Sequence, residues 1–276
     1  MKKLLFFLLF FNTTLITVKA QSGSEKPIKK VITLLMPRTV DDDMPGTRGA
    51  CVVWHPLQKK YYAAMAGNVA YPLGVFDATG KKLSADSLNT NADIRGLWYN
   101  PQKKRIEGNS YNDFGWFSYT LNAKGMPVKT DIFLDGMNQP DVQSVGAYSI
   151  ARQQVLFLYN GNVYFYSING DVLDKTLQIQ WGRTKSDGPG EEEEETSTPE
   201  DYNSTTVVFT GLKGAELGFL NITEMQIELY NIEDGFLSKK LKLPDEASMN
   251  AMFNFAYTNG IYWLYNIEER KWSGYK

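Results

Sequence analysis

Cysteine and histidine are nearly absent from this 276-residue chain: each occurs once, as Cys51 and His55. A single cysteine excludes an intramolecular disulfide and a zinc site built on several thiolates. A single histidine means that any catalytic triad or histidine-held metal has to pass through His55. Net charge is also small, at −2, which excludes the broad basic stripe that grips nucleic acid. Helical periodicity is missing: no amphipathic stretch of a dozen residues runs free of turn signals. Nucleophile elbows, zinc-protease helices and phosphate loops are missing as well, and no cofactor is expected.

Long apolar runs are also lacking, and the one short run is informative. Lys2 and Lys3 precede the apolar segment Leu4–Phe11, which Asn12, Thr13 and Thr14 interrupt. A membrane span needs about 20 apolar residues, so this segment, ending in Val18-Lys19-Ala20, has the pattern of a cleavable leader over residues 1–20. The expectation is a protein exported to a periplasm or beyond, bacterial in type, with no membrane span once the leader is removed. No cysteine follows Ala20 to take a lipid anchor. The remaining chain of about 256 residues suits one all-β domain, 21–276, and 43% hydrophobic and 13% aromatic residues suffice for its core.

What the chain does have is internal repetition. Trp54-His55-Pro56-Leu57-Gln58-Lys59-Lys60 aligns with Tyr99-Asn100-Pro101-Gln102-Lys103-Lys104-Arg105 at an offset of 45, and Phe76–Gly80 falls on Leu121–Gly125 in the same register. Leu229-Tyr230-Asn231-Ile232-Glu233 recurs as Leu264-Tyr265-Asn266-Ile267-Glu268 at an offset of 35. Asn160-Gly161, Asn169-Gly170 and Asn259-Gly260 mark hairpin turns, since Asn and Gly tolerate the positive φ of primed turns. Five units result, starting near Gly49, Gly96, Gly146, Thr206 and Asn250. Each is expected to end in a polar strand such as Lys81–Ser84 or Lys239–Leu243.

Units of this length with four short strands predict β-propeller blades, which bury their faces only by stacking around an axis. Five blades are expected, six if one is hidden near the acidic segment. Gly49, Gly96 and Gly146 are expected where inner strands crowd the axis. The last unit, Met252–Lys276, is one strand short and Lys29–Met36 is a spare strand, so pairing the two closes the ring. Residues 186–204, with Glu191–Glu195 and flanking Gly, Pro and Ser, predict a solvated, disordered insert.

Candidate site residues are few. His55 and its repeat partner Asn100 both precede proline, which makes His55 a turn residue before it is a catalytic one. Asp41, Asp42 and Asp43 are a weak metal candidate, because adjacent carboxylates lack the alternating spacing that converges on one cation. Arg48 and Arg95, each immediately before an opening glycine, are candidates to line one rim of the channel and hold an anionic group. Tyr71, Tyr111 and Trp116 flank hairpin turns and are candidate stacking surfaces, whereas Trp98, Trp181, Trp263, Tyr164 and Tyr166 fit core packing. Asn203 and Asn221 head glycosylation acceptor triplets.

The ending Ile261-Tyr262-Trp263-Leu264-Tyr265-Asn266 followed by Lys271-Trp272 resembles a degenerate kelch strand pair. The units are similar to the β-propeller superfamily in general. The double glycine of kelch repeats and the Gly-His and Trp-Asp landmarks of the other common propeller repeat are missing. That resemblance implies a fold and no activity. The functional expectation is a monomeric, non-enzymatic binding or scaffold propeller for a protein, peptide or glycan. The alternatives are a carbohydrate-active hydrolase using carboxylates at the channel mouth and a cell-envelope structural protein.

Overall fold

A computed structural model describes residues 25–39, 48–185 and 197–276. The expected leader, residues 1–20, and Asp41–Asp43 lie outside the described residues. The chain enters with β1 (Lys26–Pro27) and β2 (Lys30–Leu35) and then lays down five sheets in sequence. Blade I holds β3 (Arg48–His55), β4 (Lys60–Ala66) and β5 (Gly74–Asp77). Blade II holds β6 (Ile94–Asn100), β7 (Arg105–Ser110), β8 (Trp116–Leu121) and β9 (Pro127–Leu134). Blade III holds β10 (Ala147–Ser149), β11 (Gln154–Tyr159), β12 (Asn162–Ser167) and β13 (Val172–Gln178), after which β14 (Gln180–Thr184) crosses to the next blade. Blade IV is β15 (Val208–Phe209), β16 (Leu217–Asn221), β17 (Gln226–Tyr230) and β18 (Phe236–Lys242). Blade V is β19 (Phe255–Thr258), β20 (Ile261–Asn266) and β21 (Lys271–Tyr275), completed by β2. The molecule is a five-bladed β-propeller.

Two turns, each reused, set this architecture. The first leaves a strand at His55, Asn100, Asn221 or Asn266. The side chain of each accepts a hydrogen bond from the backbone N–H three residues on: Gln58 (3.3 Å), Lys103 (3.1 Å), Glu224 (2.9 Å) and Glu269 (2.8 Å). Four residues after each turn residue the backbone passes through positive φ, at Lys59, Lys104, Met225 and Arg270, and blade III does the same at Gln153. The second turn closes on Gly80, Gly125 and Gly170, spaced 45 apart, with φ of 89°, 73° and 85°. Asp77, Asn122 and Ser167 cap it by accepting from the N–H groups two and four residues on. Glycine fits there because a Cβ disfavours that φ.

The 45-residue register therefore runs through three blades and returns between the last two, where Asn221 matches Asn266 and Met225 matches Arg270. The identical pentapeptides at an offset of 35 are not equivalent. Leu229-Tyr230 ends the third strand of blade IV, whereas Leu264-Tyr265 lies in the second strand of blade V. Chemistry common to any buried strand end, apolar-aromatic followed by Asn, explains that match.

Adjacent blades bury their faces against each other. Trp263, Trp272, Tyr265, Tyr61 and Met65 pack blades V and I together, and Trp98, Trp116, Phe157 and Tyr166 join II to III. Around the axis the inner strands nearly touch: a Cβ on Gly96 would sit 2.6 Å from the backbone N and O of Gly146. Closure is as expected, with β2 pairing antiparallel to β21 and burying Leu34 and Met36.

Two expectations are corrected. Lys81–Ser84 is not a strand: after the Gly80 turn it makes only a bridge from Lys82 to Phe76, so blade I has three strands. The disordered insert expected over 186–204 does not hold for its last eight residues. Residues 186–196 lie outside the described residues, but 197–204 are packed, with a capped 3₁₀ turn at Pro199–Asp201 and with Tyr202 and Asn203 buried. Neither glycosylation acceptor is accessible: Asn203 and Asn221 have no exposed surface, and both amides are used in hydrogen bonds.

Candidate functional site: an aromatic mouth on an uncharged channel

The five inner strands run in the same sense along the axis, as the parallel bridge from Val145 to Thr206 illustrates. The channel therefore has an entry end, where these strands begin, and an exit end, where they stop. A cavity of about 550 Å³ opens at the exit end. Its wall is Val53, Leu97, Val145, Ala147, Val208 and Ala256, and its mouth carries one aromatic ring from every blade: Trp54, Tyr99, Tyr148, Phe209 and Tyr257. Trp54, Tyr99, Phe209 and Tyr257 are half-buried, and Tyr148 is buried beside them.

The repeat places these rings. Trp54, Tyr99 and Tyr148 each immediately precede the residue that ends an inner strand, and Phe209 and Tyr257 stand at or next to the ends of theirs. Tyr99 stacks on His55 at 4.7 Å, Trp54 on Tyr61 at 4.5 Å and Tyr257 on Tyr262 at 4.7 Å. Trp54 N–H donates to Thr258 Oγ1 (3.0 Å), tying blade I to blade V. Burial raises the phenols of Tyr99, Tyr148 and Tyr257 above their ordinary value of 10, with Glu107 adding to the effect at Tyr148. All three stay neutral hydroxyls near neutral pH. Among the described residues lining this cavity there is no Asp, Glu, Lys, Arg or His; Thr206, Thr210, Thr258 and Asn259 supply its polar groups.

The entry end is occupied by the Phe253 ring. Phe253 is buried there and takes positive φ, as does the next residue, Asn254 (52° and 59°), an uncommon backbone for a bulky residue. Phe253 N–H donates to Thr205 Oγ1 and its carbonyl accepts from the Asn203 amide, both at 2.8 Å. Arg48 and Arg95 both lie at this end: their guanidinium carbons are 5.9 and 5.4 Å from the Phe253 ring centroid. Their roles differ. Arg95 is buried, pairs with Asp93 (2.6 Å), donates to Gln143 (2.9 Å) and lies over the ring of Tyr111 (4.6 Å). Arg48 is half-buried and leans on Met252.

Tyr111 is the exposed ring of the three proposed from hairpin turns. Tyr71 and Trp116 are core residues, because the turns beside them fold their rings inward. Tyr71 joins the core beside blades I and II, and Trp116 is fully buried between Trp98 (5.5 Å) and Phe157 (6.1 Å). His55 is buried, and its Nδ1 accepts from Gln58 N–H. Burial holds its pKa below the ordinary 6.5, in a neutral, structural state.

Comparison with known proteins bears on the fold. No family model matches the sequence, and no curated protein matches it. Among solved structures, the chain is similar to the glutaminyl cyclase of Myxococcus xanthus, with 8% identity, a TM-score of 0.53, and coverage of 92% of this chain and 97% of that one. It also matches the WD40 domain of Neurospora crassa Pan2 (11% identity, TM-score 0.46, 91% and 96% coverage). A streptogramin B lyase aligns at 12% identity and TM-score 0.40, over 84% and 65% of the two chains. At such identities the first similarity supports the propeller fold and carries no activity across. No described helix is long and apolar enough to cross a membrane.

Proposed function

We propose that this propeller is an exported, non-enzymatic binding protein that holds an uncharged ligand group at the exit mouth of its channel. One observation carries the reading: five blades each deliver one aromatic ring to a mouth whose described lining has no charged side chain. Rings of this kind offer large contact area at little conformational cost and suit the faces of neutral sugars or apolar peptide side chains. The Thr258 hydroxyl, which accepts from Trp54 N–H, and the Asn259 amide, which donates to Tyr61, each keep further hydrogen-bonding capacity to orient such a group. A retaining or inverting glycosidase would instead set two carboxyl groups about 5–10 Å apart across the bond to be cut, and this mouth has no such pair among its described residues. Export rests on the leader pattern of residues 1–20.

The test is a glycan and peptide array probed with the chain lacking residues 1–20, repeated with Trp54→Ala/Tyr257→Ala. Both rings are half-buried, so the double variant is expected to fold. Hits on neutral glycans or apolar peptides that fall at least tenfold in the variant are the expected result. Hits that the variant leaves unchanged would refute the exit mouth as the site, and none at all would move the reading to a structural protein.

A further inference from the structure

A second cleft lies on the entry face between blades III and IV, with a volume of about 700 Å³. Its chemistry is opposite to that of the mouth. Three aromatic residues line it, Tyr159, Trp181 and Tyr202, together with two carboxylates, Asp141 and Glu200, and there is no Lys, Arg or His among its described lining. Trp181, expected in the core, is only half-buried. Its ring is backed by Tyr202 at 4.3 Å, Phe219 at 5.0 Å and Tyr230 at 6.0 Å, which fixes it as a rigid wall. Neither Asp141 nor Glu200 forms an ion pair among the described residues; the Asp141 carboxylate accepts from Gln143 N–H at 2.8 Å.

A third carboxylate stands behind this wall. Glu228 is fully buried and accepts from Tyr202 (2.6 Å) and Tyr230 (2.5 Å) on one oxygen, and from Gln226 (2.7 Å) and Asn221 (3.2 Å) on the other. All four donors are neutral. Blade II carries the same device, seven residues after its turn asparagine: Asn100 donates to the buried Glu107, just as Asn221 donates to Glu228. There, however, Arg105 pairs with the carboxylate at 2.8 Å and Lys103 at 3.5 Å. The two buried carboxylates thus differ in their remaining partners. The cation that Glu107 finds within its own blade has no counterpart among the residues bonded to Glu228, and Tyr202 connects Glu228 directly to the cleft.

We propose that this cleft binds an organic cation, an ammonium or quaternary ammonium group seated against Trp181 and facing Asp141 and Glu200. Aromatic faces attract cations through their quadrupole, most strongly at tryptophan, and the attraction grows as water is excluded. The carboxylates add long-range attraction. Arg48 and Arg95 flank only the axial edge, where Met252 and Gln143 stand between them and the cleft. The site is independent of the exit mouth.

Choline and its uncharged isostere 3,3-dimethyl-1-butanol are the probes, titrated by calorimetry and by tryptophan fluorescence. Choline is expected to bind at least about tenfold more tightly than the isostere, a ratio set by the charge alone. Glu200→Gln, at an exposed position, is expected to weaken choline severalfold without shifting the melting temperature. Trp181→Leu should abolish binding and Trp181→Phe should restore part of it, while Trp54→Ala should leave it unchanged. No choline binding, equal binding of the isostere, or choline binding that Trp54→Ala removes and Trp181→Leu does not, would each overturn the proposal.

Discussion

His55 shows how a residue of tempting chemistry is committed to structure. Burial disfavours the charged ring and outweighs the backbone hydrogen bonds that favour it, so the folded state holds the ring's pKa below the ordinary 6.5. As pH falls through about 6.5 the unfolded chain takes up a proton that the folded chain resists, and stability drops until the folded pKa is passed. His55→Asn keeps the acceptor used at position 100 and removes the titration. Urea denaturation of both proteins at pH 5 and pH 8 should show a loss at low pH that is smaller in the variant; equal losses would contradict the assignment. The role of His55 was legible because the repeat aligns it with Asn100. The positions of Tyr71 and Trp116 were not, because proximity to a turn says nothing about which way a ring folds. Gly96 makes a sharper residue-scale case. Gly96→Ala sets a methyl against the Gly146 backbone, which cannot move without disturbing a neighbouring blade. It should cost about 1–3 kcal/mol, the usual range for overpacking, read as a lowered denaturation midpoint.

At the scale of strands and turns, the sequence was most informative where backbone geometry demands particular residues. The Pro-containing turns after His55 and Asn100 and the glycine turns at Gly80, Gly125 and Gly170 are written in local chemistry and held register. Strand pairing is less local. Lys81–Ser84 has the polar pattern of an outer strand yet makes one bridge, since an edge segment without an apolar face gains little from extending its ladder. The packing of 197–204 was missed for the reverse reason: the acid-rich composition of residues 191–195 masked Tyr202, whose hydroxyl satisfies a buried carboxylate. The closing strand was legible because one unit lacked a strand and another segment was spare. Its removal is a direct test. Deleting residues 21–40 uncovers the ladder edge of β21 and takes Leu34 and Met36 out of the core. Loss of two such buried side chains costs about 2–5 kcal/mol each. Thermal melting of the truncated chain should show a large drop in midpoint or no cooperative transition; an unchanged midpoint would refute closure by this strand.

For the molecule as a whole, the five-blade count followed from the repeat, but the site did not. Trp54 and Tyr99 head the alignment that reveals the repeat. Tyr148, Phe209 and Tyr257 were hidden because insertions of different length separate the later blades, and the five rings become a set only when the strands are arranged around one axis. Because that mouth carries no described charge, its affinity for a neutral ligand should change less than twofold between 50 and 500 mM NaCl, across which the screening length falls several-fold. Choline binding in the acidic cleft should weaken over the same range, and a titration of each site at the two salt concentrations checks both. The pairing of β2 with β21 also dictates the order in which this protein can be made. The partners lie about 240 residues apart in the chain, so at about 5–20 residues per second β2 waits about 12–48 s for its partner to be synthesised. Through that interval its ladder edge has no native partner, and the finished ring forms as one late step. A nascent chain of this protein is thus held open by its own topology, available to a holding chaperone or a translocation channel until Tyr275 has emerged.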